Sequence, residues 1–182
     1  MKNLTSTLLI VLLLATCKKE SLFDEYGFYG ESHAKLNGVA WTGKPGIFFT
    51  TVLCEPDSCI GIKIFHFNQK GEIRSDITID HIPIRPGRQT LNYGRHVSQK
   101  VHCSLSYGEY TSDGDVLTGD YSVFEQNDDN YLDITELDLA TGDISGKFQG
   151  TVVRHEFWTP AGQQPDTIRI TEGTFRGRIF RK

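Results

Sequence analysis

Three internal cysteines, Cys54, Cys59 and Cys103, and a scatter of carboxylates are the residues with chemistry to offer. Cys54 and Cys59 bracket Glu55-Pro56-Asp57-Ser58, where Pro suits the second position of a type I turn and Asp and Ser form turns readily. With a strand on each side, such a loop sets the two residues opposite each other at a Cα separation of about 4.5–5.5 Å, which a disulfide accepts. We therefore expect a Cys54–Cys59 bond, contributing only roughly 2 kcal/mol because the loop it closes is so small. Cys103 is then unpaired, and with Leu105 and Tyr107 on its strand face it is expected to be a buried free thiol. Zinc is not expected: C-x4-C lacks a second pair or a nearby His to complete four ligands.

Among the carboxylates, Glu136 and Asp138 can share one side of a strand, with Asp128 and Asp129 close in sequence. Such a pair is what a glycosidase needs, one group to give a proton and the other to take one or attack. The alternative is that 127–130 is a hairpin turn and that Glu136 and Asp138 face solvent. Asp113-Gly114-Asp115 and Asp128-Asp129 supply hard oxygen donors for calcium, without the spaced ligands and closing Glu of an EF-hand loop. His33, His66, His81, His96, His102 and His155 are scattered, with no H-x-x-x-H pair, no G-x-S-x-G elbow, no phosphate-cradling loop and no dinucleotide fingerprint. Arg176 and Arg178 share a strand face and are read as a solvated sheet edge that resists aggregation. No catalytic residue, metal or cofactor is assigned from this pattern.

The elements that must carry these groups are strands. From residue 32 onward, period-two alternation recurs between turn signals and no 3.6-residue spacing is sustained. Asn37-Gly38 joins 32–36 to 39–42 as a two-residue hairpin, with Trp41 in the core. Lys44-Pro45-Gly46 is expected to end that strand. Ile60, Ile62 and Ile64 line one face of the strand after the Cys turn, and Ile77 and Ile79 alternate with Asp76, Thr78 and Asp80 on a half-buried one. Short strands are expected over Thr90–Tyr93, Val101–Tyr110 and Val116–Glu125. Ile144, Gly146, Phe148, Gly150 and Val152 keep strict alternation, their glycines marking bends or close backbone approach. Thr167–Thr171 and Thr174–Phe180 are expected as two strands split by Glu172-Gly173. About ten strands in one 150-residue unit is the form of a single antiparallel β-sandwich or barrel.

With 182 residues, 38% hydrophobic and 23% charged, the chain has ordinary globular composition, and its formal charge of −4 disfavours nucleic acid as a partner. Its first residues differ. Lys2 precedes Leu8 to Ala15, an apolar run too short for a bilayer span, which takes about 20 residues, but suited to the core of a secretory signal. At its end Leu14-Ala15-Thr16-Cys17 resembles a bacterial lipoprotein lipobox, with Thr16 where Gly, Ala or Ser is commoner. The resemblance implies a signal peptide over 1–16, cleavage before Cys17, lipidation of the Cys17 thiol, and a tether over 17–31 leading to an all-β domain over 32–182. Two or more acyl chains make a stable anchor, at about 0.8 kcal/mol per buried methylene. The absence of Asp after Cys17 resembles lipoproteins sent to the outer membrane, and leaves open which face they occupy. Phe23, Tyr26, Phe28 and Tyr29 suggest that part of the tether docks on the domain.

Further motifs extend the resemblance. Ala34-Lys35-Leu36-Asn37-Gly38-Val39-Ala40-Trp41, Ile134-Thr135-Glu136-Leu137-Asp138, Ile144-Ser145-Gly146-Lys147-Phe148 and Ile170-Thr171-Glu172-Gly173-Thr174-Phe175 occur in this order. Together they resemble the small, uncharacterised β-rich lipoproteins of Bacteroidota. That likeness implies fold and address, and no catalytic residues. The expectation is thus a lipid-anchored envelope lipoprotein whose β domain, a non-enzyme, binds an envelope protein or glycan or serves structurally. The alternatives are a β-barrel holding a small apolar ligand in an aromatic-lined interior and a carbohydrate-active enzyme using Glu136 and Asp138.

Overall fold

Asn37 (φ 49°) and Gly38 (φ 84°) both occupy the left-handed region that a two-residue hairpin matching the strand twist requires. They join β1 (Gly30–Leu36) to β2 (Val39–Thr50), which pair from Leu36↔Val39 to Ser32↔Gly43. The computed structural model describes residues 27–50, 54–55, 58–92, 102–124, 128–155 and 165–180. The expected signal peptide, Cys17 and most of the tether lie outside them. The remaining strands are β3 (Cys59–Phe67), β4 (Ile73–Pro83), β5 (Gly87–Thr90), β6 (Ser104–Tyr110), β7 (Leu117–Ser122), β8 (Tyr131–Leu137), β9 (Asp143–Arg154) and β10 (Thr167–Phe180).

All ten belong to one sheet that closes in a ring. The ring runs β1, β2, β3, β4, β6, β7, β9, β10 and back to β1, antiparallel at every step. β7 and β8 pair with successive halves of β9, Ser122 against Val153 and then Tyr131 against Gln149, so they are one line of chain interrupted by residues 123–130. β5 adds to the free side of β8.

The inward positions form one core cluster. Ile60, Ile62, Ile64, Ile77, Ile79, Leu132, Val152 and Ile170 are wholly buried, each contributing about 1.5–3 kcal/mol by leaving water. Trp41 is buried as expected, and its indole N–H donates to Ser75 Oγ at 2.9 Å. β9 and β10 interlock through reciprocal pairs: Phe148 stands opposite Gly173 and Phe175 opposite Gly146. A Cβ on Gly146 would lie 2.6 Å from the Phe175 ring, and one on Gly173 2.7 Å from the Phe148 ring. The glycines inside these strands are therefore the space that the two rings fill.

Four strands depart from the sequence reading. Thr167–Phe180 is one strand: Glu172 (φ 53°) forms a bulge between the Ile170↔Gly150 and Gly173↔Phe148 pairs, so Glu172-Gly173 kinks the strand without ending it. β2 likewise runs through Lys44-Pro45-Gly46. Its partner on that side is β1 as far as Gly43 and β10 from Ile47 onward, so Pro45 falls in the fork where a proline can be accommodated in a strand. β7 covers only Leu117–Ser122, and the strand expected at Thr90–Tyr93 lies earlier, at Gly87–Thr90.

Candidate functional site

Glu136 and Asp138 come together at the end of the β8–β9 hairpin. Asp138 Oδ1 accepts the backbone N–H of Ala140 at 2.8 Å and of Thr141 at 3.4 Å, while Gly142 (φ 81°) donates its N–H to the Asp138 carbonyl at 2.7 Å. Asp143 accepts Arg178 Nε at 2.9 Å and the Thr141 hydroxyl at 2.9 Å. Glu136 Oε2 accepts the Ser145 hydroxyl at 2.9 Å. With Leu137, Ile144, Arg176 and Gly177, these residues line an open groove of about 360 Å³ on the outer face of the ring.

The electrostatics of this groove are those of a capped turn. The Ala140 and Thr141 N–H bonds hold the Asp138 carboxyl below the usual range, and the Arg178 and Thr141 bonds do the same for Asp143. A carboxyl that must donate a proton near neutrality needs the opposite shift, normally from burial. The groove can hold a polar molecule between carboxylates and the Arg176 guanidinium, and Asp138 and Asp143 stay ionised in it.

The other expected sites separate in space. Asp113 accepts the Thr111 hydroxyl and the Asp115 N–H and caps its own turn, with Gly114 (φ 81°) in the left-handed position. The carbonyls of Asp128 and Asp129 accept Arg88 Nη2 at 2.7 Å and Gln149 Nε2 at 3.0 Å. Among the described residues, no group of three or more His, Cys, Asp or Glu is placed to hold a metal ion. Arg176 and Arg178 are exposed, but β10 is paired on both sides, so they do not guard an edge as expected; Arg178 pairs with Asp143.

Cys54 and Cys59 form a disulfide across a turn closed by Ser58 N–H to Glu55 O at 3.1 Å, with 6.1 Å between their Cα atoms. Pro56 and Asp57 lie outside the described residues. Cys103 is a buried free thiol, pushed up to about 12 by burial and secondarily by the charge of Asp80.

The carboxylates that the structure does bury were not singled out as a site. Asp76 is 6% exposed on the outer face of β4, and accepts Tyr110 OH at 2.9 Å and Thr78 Oγ1 at 2.8 Å, with Lys63 Nζ 3.8 Å away. Asp80, two positions on, is pushed up by burial against the opposing pull of His81 and Lys63. It sits beside His81 (φ 58°) at a bulge where β4 carries an extra residue opposite Gly61 of β3. The available signal was the glycines: a Cβ at Gly61 would lie 2.8 Å from Asp80 Oδ1, and one at Gly108 2.6 Å from Asp76 Oδ1. Compared with family models, curated proteins and solved structures, the chain matches none.

Proposed function

We propose that this chain is a lipoprotein of the outer membrane, anchored through acyl chains on Cys17, whose ring-closed β domain binds an envelope protein or glycan, or serves structurally, without catalysing a reaction. The observation that carries the reading is Leu14-Ala15-Thr16-Cys17 at the end of the apolar run Leu8–Ala15. A thioether-linked diacylglyceryl group with a further N-acyl chain supplies the two or more chains that stable anchoring takes. Among the described residues no helix is long and apolar enough to cross a membrane.

Two features support a non-catalytic domain. The abundant candidate acids at the β8–β9 turn are engaged as turn caps, with Asp138 and Asp143 held ionised. The inward side chains of the ring, from Ile62 and Ile79 across to Phe148 and Tyr121, form one buried cluster, so the interior is occupied by the protein's own side chains.

The test is the mass of the mature protein from envelope fractions of the expressing cell. The expected N-terminus is Cys17 carrying diacylglyceryl and acyl mass, and Cys17→Ser releases the protein from sedimented membranes. An unmodified Cys17, or a Ser variant that sediments as firmly as the native protein, overturns the reading.

A further inference from the structure

The route by which the chain enters the ring bears on how an anchored domain would sit. β10 pairs with β1 up to Gly177↔Gly30 and then joins β2 directly, in parallel, at Ile179↔Ile47 and Phe180↔Phe48. Residues 27–29 therefore have no place inside this seam and cross it on the outside. Phe28 bridges Gly46 of β2 and lays its ring on it, where a Cβ would stand 2.8 Å from the ring. The same ring meets Phe65 edge-on at 5.3 Å and Phe67 at 6.5 Å between centroids. Gly27 (φ 67°) passes against the Phe180 ring, and at Gly30 (φ 108°) a Cβ would overlap the Arg176 carbonyl at 1.9 Å. Two left-handed glycines, a ring seated on a third and an aromatic cluster thus fix residues 27–30 against the domain.

The face on which this strap lies is unusual for the outside of a ring. Phe48 is 38% exposed, Phe65 and Phe67 are half-buried, Lys44 is exposed, and Lys63 Nζ stands 4.9 Å from the Phe65 centroid. Of the two neighbouring carboxylates, Asp76 is buried and occupied by Tyr110, Thr78 and Lys63, and Asp80, against Gly61 beside the Phe48 ring, is pushed up by burial, which favours its neutral form. What the face offers outward is rings and lysine stems, the combination that settles at a bilayer interface. Only nine residues lie between Cys17 and Gly27, ten steps of chain. A chain of that length reaches at most roughly 35 Å, against a width of about 35–40 Å for a domain of this size. A face on the far side of the ring is out of ordinary reach of the anchor.

Resting on the Cys17 lipidation proposed above, we infer that Gly27–Gly30 is a fixed exit for the tether and that the outer face of β2 and β3, with Phe28, Phe48, Phe65, Lys44 and Lys63, is the side that lies against the lipid surface. The test uses acylated full-length protein, its acyl mass verified, in vesicles of phosphatidylethanolamine and phosphatidylglycerol. Nitroxide labels are placed at Phe48→Cys and at Val153→Cys, on β9 across the ring, in a Cys103→Ser background. On vesicle binding, the ratio of oxygen to nickel-chelate accessibility is expected to rise severalfold at 48 and to stay unchanged at 153. Phe28→Ala, which removes the contacts with Phe65 and Phe67 but leaves every strand ladder of the closed sheet in place, is expected to abolish the contrast. Equal ratios at the two sites in acylated protein overturn the inference and leave the lipid anchor standing. Absence of acyl mass overturns both. A contrast that survives Phe28→Ala overturns the role given to the strap.

Discussion

Two regions of this molecule carry carboxylates in close sequence spacing, and they treat them in opposite ways. At the β8–β9 turn, Asp138 and Asp143 are solvated, capped by backbone N–H groups or an arginine, and held below the usual carboxyl range. On the outer face of β3, β4 and β6, Asp76 and Asp80 are covered by a tyrosine, a lysine and their own strand neighbours, and Asp80 is pushed above that range. Residue type and spacing are alike in the two places. What separates them is whether neighbouring strands bring bulky side chains over the carboxylate or leave it at a loop tip, and that is a property of the closed sheet.

The contrast can be broken by substitution, and the largest effect is expected at Asp76. Asp76→Ala strips the acceptor from Tyr110 OH and Thr78 Oγ1 and leaves Lys63 without its counter-charge, and is expected to cost about 2–4 kcal/mol in urea unfolding at pH 7. A loss no larger than that of an exposed carboxylate would place Asp76 with the turn group. Asp80→Asn should act in the other direction and less strongly. Because burial raises the carboxyl in the folded state, its favourable contribution is complete below the unfolded value and is lost as pH rises through the folded one. The Asn variant should therefore match the native protein near pH 3 and exceed its stability at pH 7. Asp138→Ala should give the smallest change. Its depressed carboxyl contributes stability above the unfolded value that is lost as pH falls through the folded one, so the variant should be slightly weaker at pH 7 and converge with the native protein in strong acid. Thermal unfolding midpoints across pH 2–7 check both signs.

Much of the architecture was legible because local chemistry and global need agreed. Asn37-Gly38 demands a tight hairpin wherever it occurs between alternating strands, Ile60, Ile62 and Ile64 cannot face water together, and the Glu55–Ser58 turn brings Cys54 to Cys59. Where the reading failed, a non-local partner decided the outcome. Pro45 reads as a strand end, yet β2 changes neighbours at that point and the proline falls in the fork. Glu172-Gly173 reads as a turn, yet β9 holds both sides of it in one ladder and makes it a bulge. Asp76 and Asp80 read as the wet side of a half-buried strand, because Lys63 and Tyr110, which cover that side, lie on other strands of the sheet. Of the groove at the β8–β9 turn, the sequence announced Glu136 and Asp138. The arginines that complete it come from β10, a strand some 35 residues further on.

The hydroxyl of Ser32 donates to the carbonyl of Thr174 across 142 positions of chain, and β10 carries the ladders of both β1 and β9. The ring is thus closed by β10, which follows every other described strand in the chain. Without it, β1, β2 and β9 expose bare ladder edges. Ladders between strands so distant in sequence are slow to form, and a chain stopped within β10 is expected to keep open sheet edges that pair with other chains.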